Sequence, residues 1–556
     1  MRGQLLIIVG VLILMGLMLA AFVQRDPAAD PENTVVTAPA AGGEAHVSGP
    51  SATSPGETAV SSTPAKTSTD TAPSDPGTPT LQFPDWPEPA VALIVTGEQH
   101  GYFEPCGCTA GQLGGMSRRA DLAKKIRDLG WNQHGIDLGG VARRTGPQAL
   151  LKFDTTLAAL REMNYLAIGL GPDDLQLSPE NLLAQHLIDT DDAVYFLSAN
   201  VVFFGTPELG TPLPWRIVET GGMKIGITSV LSESLRKQVI PDRPDDPSQP
   251  PADLSWESPE KAIPSVLAKF DEDNVGYRIL LSQGSLEETR GLVEKFPAFD
   301  LVVTAEGFGD GERDPELIGH TRLLQVGTKG KFAGVVGLYP NDDKQPCRFE
   351  LVSLNGEQFQ HSDVIVELMR KYQQRLHDER IVEIEGAVAY PSGAEFVGAD
   401  KCGECHTKAM EVWQNTAHAH ALESLDPAFQ REGHERLMGV ARTFDPECLA
   451  CHVTGWSPEG YLRYRTGFIN AEFAADEAEK KLETLLAGNQ CENCHGPGSR
   501  HVEQIELGNV EAARMDVRVT LQQAKERTCV MCHDADNSPH YSFEEYWEQV
   551  RHPGLD

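Results

Sequence analysis

Four copies of Cys-x-x-Cys-His lie in the last third of this 556-residue chain: Cys402, Cys405 and His406; Cys448, Cys451 and His452; Cys491, Cys494 and His495; Cys529, Cys532 and His533. No other feature limits the fold so tightly. Two thiols three residues apart share one turn, so both reach the two vinyl groups of a porphyrin, and the next imidazole ligates the iron from the same face. Paired zinc knuckles would explain the thiols but not a His directly after every pair. The pattern implies four covalently attached c-type haems. Residues 391–556 then carry one haem for roughly every 40 residues, so the rings are expected to form its core and lie close together, in a mainly helical, loop-rich domain.

Ten of the 17 His fall within residues 396–556, and four of these are the proximal ligands. That leaves His418, His420, His434, His501, His540 and His552 for the opposite faces. A second imidazole makes a six-coordinate iron suited to electron transfer, whereas an iron without one can bind a small molecule; the count permits both. The segments FVGADKCGECH, VWQNTAHAHAL, CLACHVTGW, CENCHGPGSRH and TCVMCH resemble the cytochrome c-554-like tetrahaem family from Phe396 to His552. The resemblance implies three bis-His haems, with His418, His501 and His552 as distal ligands, and an open iron on His452. His420 competes with His418 for one iron. His434 and His540 have no counterpart in the family.

Residues 5–23 form an uncharged run of 19 apolar or small residues, about 28 Å as a helix, enough to cross a bilayer once. The run exceeds the roughly 7–15 residues of a signal-peptide core, which favours an inner-membrane anchor with the bulk outside; cleavage near Ala20 and Ala21 would instead release the chain to the periplasm. Residues 24–85 are rich in Pro, Ala, Ser and Thr, with almost no aromatic side chain to bury, and read as a disordered linker. The net charge of -34 excludes nucleic acid held by charge. Between Asp400 and Asp556 there are 27 acids and 15 bases, a net of -12, which suits a basic redox partner protein.

Residues 86–390 alternate short apolar runs with amphipathic stretches. Strands are expected at 90–96, 135–138 and 165–170 with helices at 118–129 and 149–163, in the order β-α-β-α-β. Further strands are expected at 194–202, 278–282 and 301–304, a helix at 286–295, and hairpins over 215–230 and 322–338. This mixture predicts an α/β layered sandwich, with the amphipathic stretch 364–376 packed on it.

The blocks TGEQHGYFEPCGCTAGQLGGMSRRA, GIDLGG, ALREMNYLAIGLGPDD, FLSANV and TRLLQVGTKGKFAGVVGL resemble the calcineurin-like metallophosphoesterases, in particular their 5'-nucleotidase branch. In that family the strand ends supply Asp, His and Asn ligands to two metal ions. Here Glu98-Gln99-His100 stands for Asp-x-His, Gly140 for the bridging Asp, Gly171-Pro172-Asp173-Asp174 for Gly-Asn-His-Glu, Gln283 for a His, and Thr304-Ala305-Glu306-Gly307 for Gly-His-x-His. Too few ligands remain for two cations, so this region is expected to be a degenerate, inactive scaffold. One residual metal on Glu98, His100, Asp137 and Asp173 stays open, as does a redox role for Cys106 and Cys108; Cys347 has no evident partner. The whole reads as a membrane-tethered multihaem electron carrier rather than an enzyme. Two alternatives stand beside it: a haem reductase or oxidase of a small nitrogen or oxygen species, and an active 5'-nucleotidase with a redox domain.

Overall fold

The computed structural model describes residues 80–105, 112–186, 194–240, 253–305, 311–429 and 439–553. The apolar run at 5–23, the linker up to residue 79, Cys106, Cys108, Glu306 and His434 lie outside the described residues. Among the described residues no helix is long and apolar enough to cross a membrane.

Two six-stranded sheets face each other. The first has the order β12-β11-β1-β2-β3-β4, built from β1 (Val91–Thr96), β2 (Gln133–Asp137), β3 (Tyr165–Gly169), β4 (Tyr195–Leu197), β11 (Phe332–Leu338) and β12 (Cys347–Ser353). The second has the order β9-β10-β8-β7-β6-β5, built from β5 (Trp215–Thr220), β6 (Met223–Leu231), β7 (Tyr277–Gln283), β8 (Leu301–Thr304), β9 (Glu316–Ile318) and β10 (Thr321–Gln325). The period of two in an extended chain sends Val91, Leu93 and Val95 inward against Ile225, Ile279, Leu281 and Val303. Ala92 and Ile94 point the other way. There they meet α1 (Met116–Asp128), α2 (Pro147–Glu162) and α5 (Asp363–Asp378) through Leu122, Leu157, Leu160 and Met369. On the far side Leu280 and Val302 pack under α3 (Pro259–Glu272) and α4 (Leu286–Lys295). The result is the expected layered α/β sandwich, with α5 packed on it as its amphipathic pattern implies. The N-terminus of α4 is set locally: Ser285 Oγ accepts from the Glu288 amide at 3.2 Å, and the Glu288 carboxylate accepts from the Ser285 amide at 3.0 Å.

Two expected elements differ. The hairpin over 322–338 does not form: β10 pairs with β8 in the second sheet, while β11 pairs with β1 and β12 in the first. The connection between them has left-handed φ at Gly327, Lys329 and Gly330, and this lets the chain cross between layers where a tight hairpin turn was expected. The strand over 194–202 is likewise two strands. β4 joins the first sheet, whereas Val201–Phe203 pairs with Leu254–Trp256 in a separate two-stranded sheet. The expected hairpin over 215–230 does form, as β5 and β6.

The C-terminal region packs directly on α2 and α5. The buried carboxylate of Asp445 accepts from Gln148 Nε2 and from Gln373 Nε2, each at 2.7 Å. Lys152 pairs with Glu447, and the fully buried Arg442 reaches Glu104 at 2.6 Å. The Arg144 guanidinium lies 3.2 Å from the centre of the Tyr461 ring. Residues 76–556 therefore form a single compact unit. Within the C-terminal region, Phe396, Leu449, Val453, Trp456, Phe468 and Leu486 make an apolar cluster of their own around the second Cys-x-x-Cys-His motif, so side chains build a core there, where rings alone were expected to form it. Asp445→Ala strands two buried amide donors and is expected to cost about 2–4 kcal/mol, read as a lower urea midpoint of the haem-loaded protein.

Candidate haem centre

Each motif is coiled into about one turn, which puts its two sulfurs and its imidazole on neighbouring positions. The motifs at Pro446–His452 and Cys491–His495 lie on short helices. In the other two, the amides of His406 and His533 donate to the carbonyls of Cys402 and Cys529, both at 2.9 Å. The third motif orients the first. Its buried Glu492 accepts from the amides of Val397 at 2.9 Å and Gly398 at 2.8 Å, just ahead of Cys402, and from Gly498 at 2.7 Å.

Three imidazole pairs stand out. His406 faces His501 with ring centres 6.2 Å apart, His418 faces His533 at 6.0 Å, and His495 faces His552 at 5.9 Å. A metal–imidazole bond of about 2.0 Å on each side, with roughly 1.1 Å from nitrogen to ring centre, sets two trans imidazoles about 6 Å apart. The donor set therefore fits a haem iron. The tautomers fit too. Nδ1 of His495 lies 2.8 Å from the Val517 carbonyl, that of His501 2.8 Å from the Ala513 carbonyl, and that of His452 2.7 Å from the Ala421 carbonyl. A carbonyl only accepts, so Nδ1 carries the proton and the lone pair stays on Nε2, the atom a metal needs. Burial, with the neighbouring imidazoles of His533 and His452, pushes His418 down to about 4 and keeps it neutral.

His418 and His420 separate clearly. His420 is exposed, and its Nδ1 lies 3.1 Å from Glu423 Oε2, so it turns away from the motif that His418 faces. His540 is also exposed.

Contacts between motifs give their order in space. The Cys402 thiol lies close to that of Cys491 and the Cys451 thiol to that of Cys532, and Cys494 lies near Cys529. The motifs thus follow one another as first, third, fourth and second.

The strand-end cluster of the α/β part has settled into contacts with itself. Parallel register brings Thr96 beside Asp137 at the carboxyl edge of the first sheet. Asp137 accepts from Thr96 Oγ1 at 2.6 Å and from the Gly139 amide at 2.9 Å, with Arg119 Nη1 at 3.8 Å. Side chains of Asp137 and Arg119 are each only 1% exposed, so the guanidinium stands where a buried carboxylate needs a cation. Burial pushes the Asp137 carboxyl up and Arg119 draws it back.

A Cβ on Gly140, whose φ is +71°, would lie 2.6 Å from Glu98 Oε1, so an Asp there would require the Glu98 side chain to move. Gln283 Nε2 donates to that same oxygen at 2.9 Å. Asp174 is spent on the backbone, accepting from the amides of Gly140, Ala142 and Gly171 at 2.7, 2.8 and 2.9 Å. His100 remains between Glu98 at 3.0 Å and Asp173 at 3.6 Å. The residual metal reading on Glu98, His100, Asp137 and Asp173 is therefore corrected: Asp137 is turned to Arg119, and among the described residues no group of three His, Cys, Asp or Glu side chains is arranged to hold an ion. Cys347 is buried, which pushes its thiol up, and its Sγ donates to the Arg348 carbonyl at 3.7 Å.

Residues 401–496 match the family model of cytochrome c554 and c-prime. Over 108 residues the chain is 32% identical to cytochrome c-554 of Nitrosomonas europaea, covering 19% of this chain and 40% of that relative. The chain thus spans about two fifths of that protein's length. Among solved structures, the 5'-nucleotidase precursor of Thermus thermophilus aligns at 19% identity and a TM-score of 0.43, over 52% of this chain and 59% of its own. A calcineurin-like phosphoesterase of Bacillus subtilis aligns at 15% and 0.41, over 51% of this chain and 97% of its own. Reduced cytochrome c554 of N. europaea aligns at 25% and 0.19, over 28% of this chain and 79% of its own. The likeness to cytochrome c554 thus falls on the C-terminal region, over the first three Cys-x-x-Cys-His motifs.

The Glu98–His100–Asp173 triad gives a pH signature. Burial lowers the His100 value, but hydrogen bonds to Asp173 and Glu98 prevail and raise it from 6.5 to about 9. A raised folded value means the stabilisation is complete below pH 6.5 and fades as pH rises through 9. The unfolding free energy from urea titration should fall across that window in the parent protein, by at most roughly 3 kcal/mol, and His100→Asn should flatten the fall.

Proposed function

We propose that this protein is an extracytoplasmic electron carrier with four covalently bound haems, tethered to the membrane by residues 5–23 and built on an inactive phosphoesterase-like platform. The three imidazole pairs at 5.9–6.2 Å carry this reading, because each joins a motif His to a His from a distant segment at the separation a shared iron needs. Bound haem supplies one-electron redox chemistry at its iron. The chain's own residues do the rest. Cys402, Cys405, Cys448, Cys451, Cys491, Cys494, Cys529 and Cys532 attach the rings; His406, His452, His495 and His533 ligate on one side; His418, His501 and His552 complete six coordination and leave those irons no site for a substrate. The spatial order first, third, fourth, second supports a path along the domain, with the first and second motifs at its ends.

Net negative charge on the haem region favours a basic redox partner protein, whose reaction rate should fall with rising ionic strength. The Arg119–Asp137 pair, and a glycine at position 140 where the resembled family has its bridging Asp, support loss of phosphoesterase chemistry. Nucleotide hydrolysis should be absent with added Mn or Zn, and measurable phosphate release would overturn that part of the reading.

Haem content is tested by intact mass of the exported protein, expected at four haems per chain; zinc or disulfides on those thiols would sink the proposal. His418→Ala should convert one low-spin iron to high-spin in the electron-resonance spectrum, with His501→Ala and His552→Ala each converting a different one.

A further inference from the structure

The mouth of the strand-end cluster is covered by the loop that follows the fourth motif. Asp536, three residues beyond His533, places its carboxylate 2.7 and 2.5 Å from Lys329 Nζ and accepts from the Tyr102 hydroxyl at 2.7 Å. Gln112 Nε2 donates to its carbonyl at 3.0 Å, and Arg143 Nη1 donates to the Tyr102 oxygen at 3.0 Å. Lys329 is held in turn. Its φ of 59° is left-handed, and its amide donates to the Glu98 carbonyl at 2.6 Å. A lysine from the α/β part therefore grips a carboxylate from the haem part, and both side chains are largely buried.

From Asp536 the contacts run on to the iron ligand. Asp534 accepts from the amides of Asp536 at 3.0 Å and Asn537 at 2.6 Å, and its carbonyl accepts from the Ser538 amide at 2.8 Å. The buried Ser538 sets its Oγ 2.9 Å from His533 Nδ1. Tyr541 stacks on the His533 ring at 5.2 Å, interplanar angle 7°. The proximal rings of His452 and His495 are set by backbone carbonyls of the haem part itself, Ala421 and Val517. At His533 the corresponding group is a serine side chain, in a loop anchored on the α/β part.

We propose that Lys329 and Tyr102 are positioning residues that set the reduction potential of the fourth haem site, acting through Asp536, the 534–538 loop and Ser538 on His533. This rests on the haem reading above. Two effects combine. A hydrogen bond to Nδ1 governs the basicity of a ligating imidazole. The Lys329 charge also offsets the Asp536 carboxylate near the site. Losing the lysine charge favours the oxidised, more positive iron; losing the aspartate charge favours the reduced one. The platform is thereby an electrostatic control on one haem of the four, by direct contact rather than by any ligand of its own.

The test is a redox titration of the full haem-loaded chain, followed by optical and electron-resonance spectra, in Lys329→Gln, Lys329→Arg, Tyr102→Phe and Asp536→Asn. The haem concerned is the one that His418→Ala turns high-spin. At a fixed ambient potential, Lys329→Gln should raise its oxidised-to-reduced ratio on the order of three- to tenfold, and Asp536→Asn should lower it. Lys329→Arg should restore the parent value. Tyr102→Phe, the mildest change, should shift it in the same direction as Lys329→Gln, because the carboxylate loses a donor. Opposite shifts from the two charge variants, confined to one haem, are not what general loosening produces. Unmoved potentials, equal shifts at all four haems, or shifts of the same sign in Lys329→Gln and Asp536→Asn would overturn the inference. A protein with fewer than four haems sinks the electron-carrier reading instead, and is seen by mass before any titration begins.

Discussion

Two imidazoles that share one iron must face each other about 6 Å apart with their Nε2 lone pairs free, and much of residues 396–553 is organised around that demand. The partners are remote along the chain: His406 with His501, His418 with His533, His495 with His552. Holding such pairs before a ring is inserted requires fixed backbone. Glu492 supplies part of it by tying the segment before the first motif to the third, and the carbonyls of Ala421, Ala513 and Val517 fix the rings one by one. Ala421 lies in a turn and Val517 ends the short helix Val510–Val517, so these two carbonyls have no intrahelical amide to satisfy and can accept from an imidazole instead.

The α/β part shows how a buried carboxylate at a strand end is balanced within the fold. Its two sheets need the strand ends where they are, so a carboxylate such as Asp137 stays at the edge of β2 and is buried whether or not an ion is present. An unpaired charge there is costly. Arg119, on the first helix after β1, supplies the cation, and Glu98, Gln283 and His100 close the remaining polar atoms on one another. The face that opens to a phosphate in the resembled enzymes is used here for Lys329 and Tyr102 to hold a loop of the haem part.

Much of this was legible in the residues. Periodicity located β1, β2 and β3 of the first sheet and the α4 helix because buried strands and amphipathic helices bury their apolar faces in fixed patterns. It failed at 322–338 and 194–202, where one apolar run feeds two different sheets; sheet membership is a non-local pairing that no local period encodes. The four motifs were unmistakable. The choice between His418 and His420 was not, since two histidines two residues apart look alike until one of them faces His533 and the other faces solvent and Glu423.

The sequence alone set the local pattern: thiol spacing and the adjacent imidazole are neighbours in the chain, so four Cys-x-x-Cys-His turns were legible without any fold, as was the shortage of metal-ligating side chains in the blocks that end the strands. Only the tertiary structure decided the pairings across each iron position, the order of the motifs, the guanidinium that balances Asp137, and the grip of Lys329 on Asp536. Those depend on contacts between residues up to a few hundred positions apart, which packing brings together and composition cannot show.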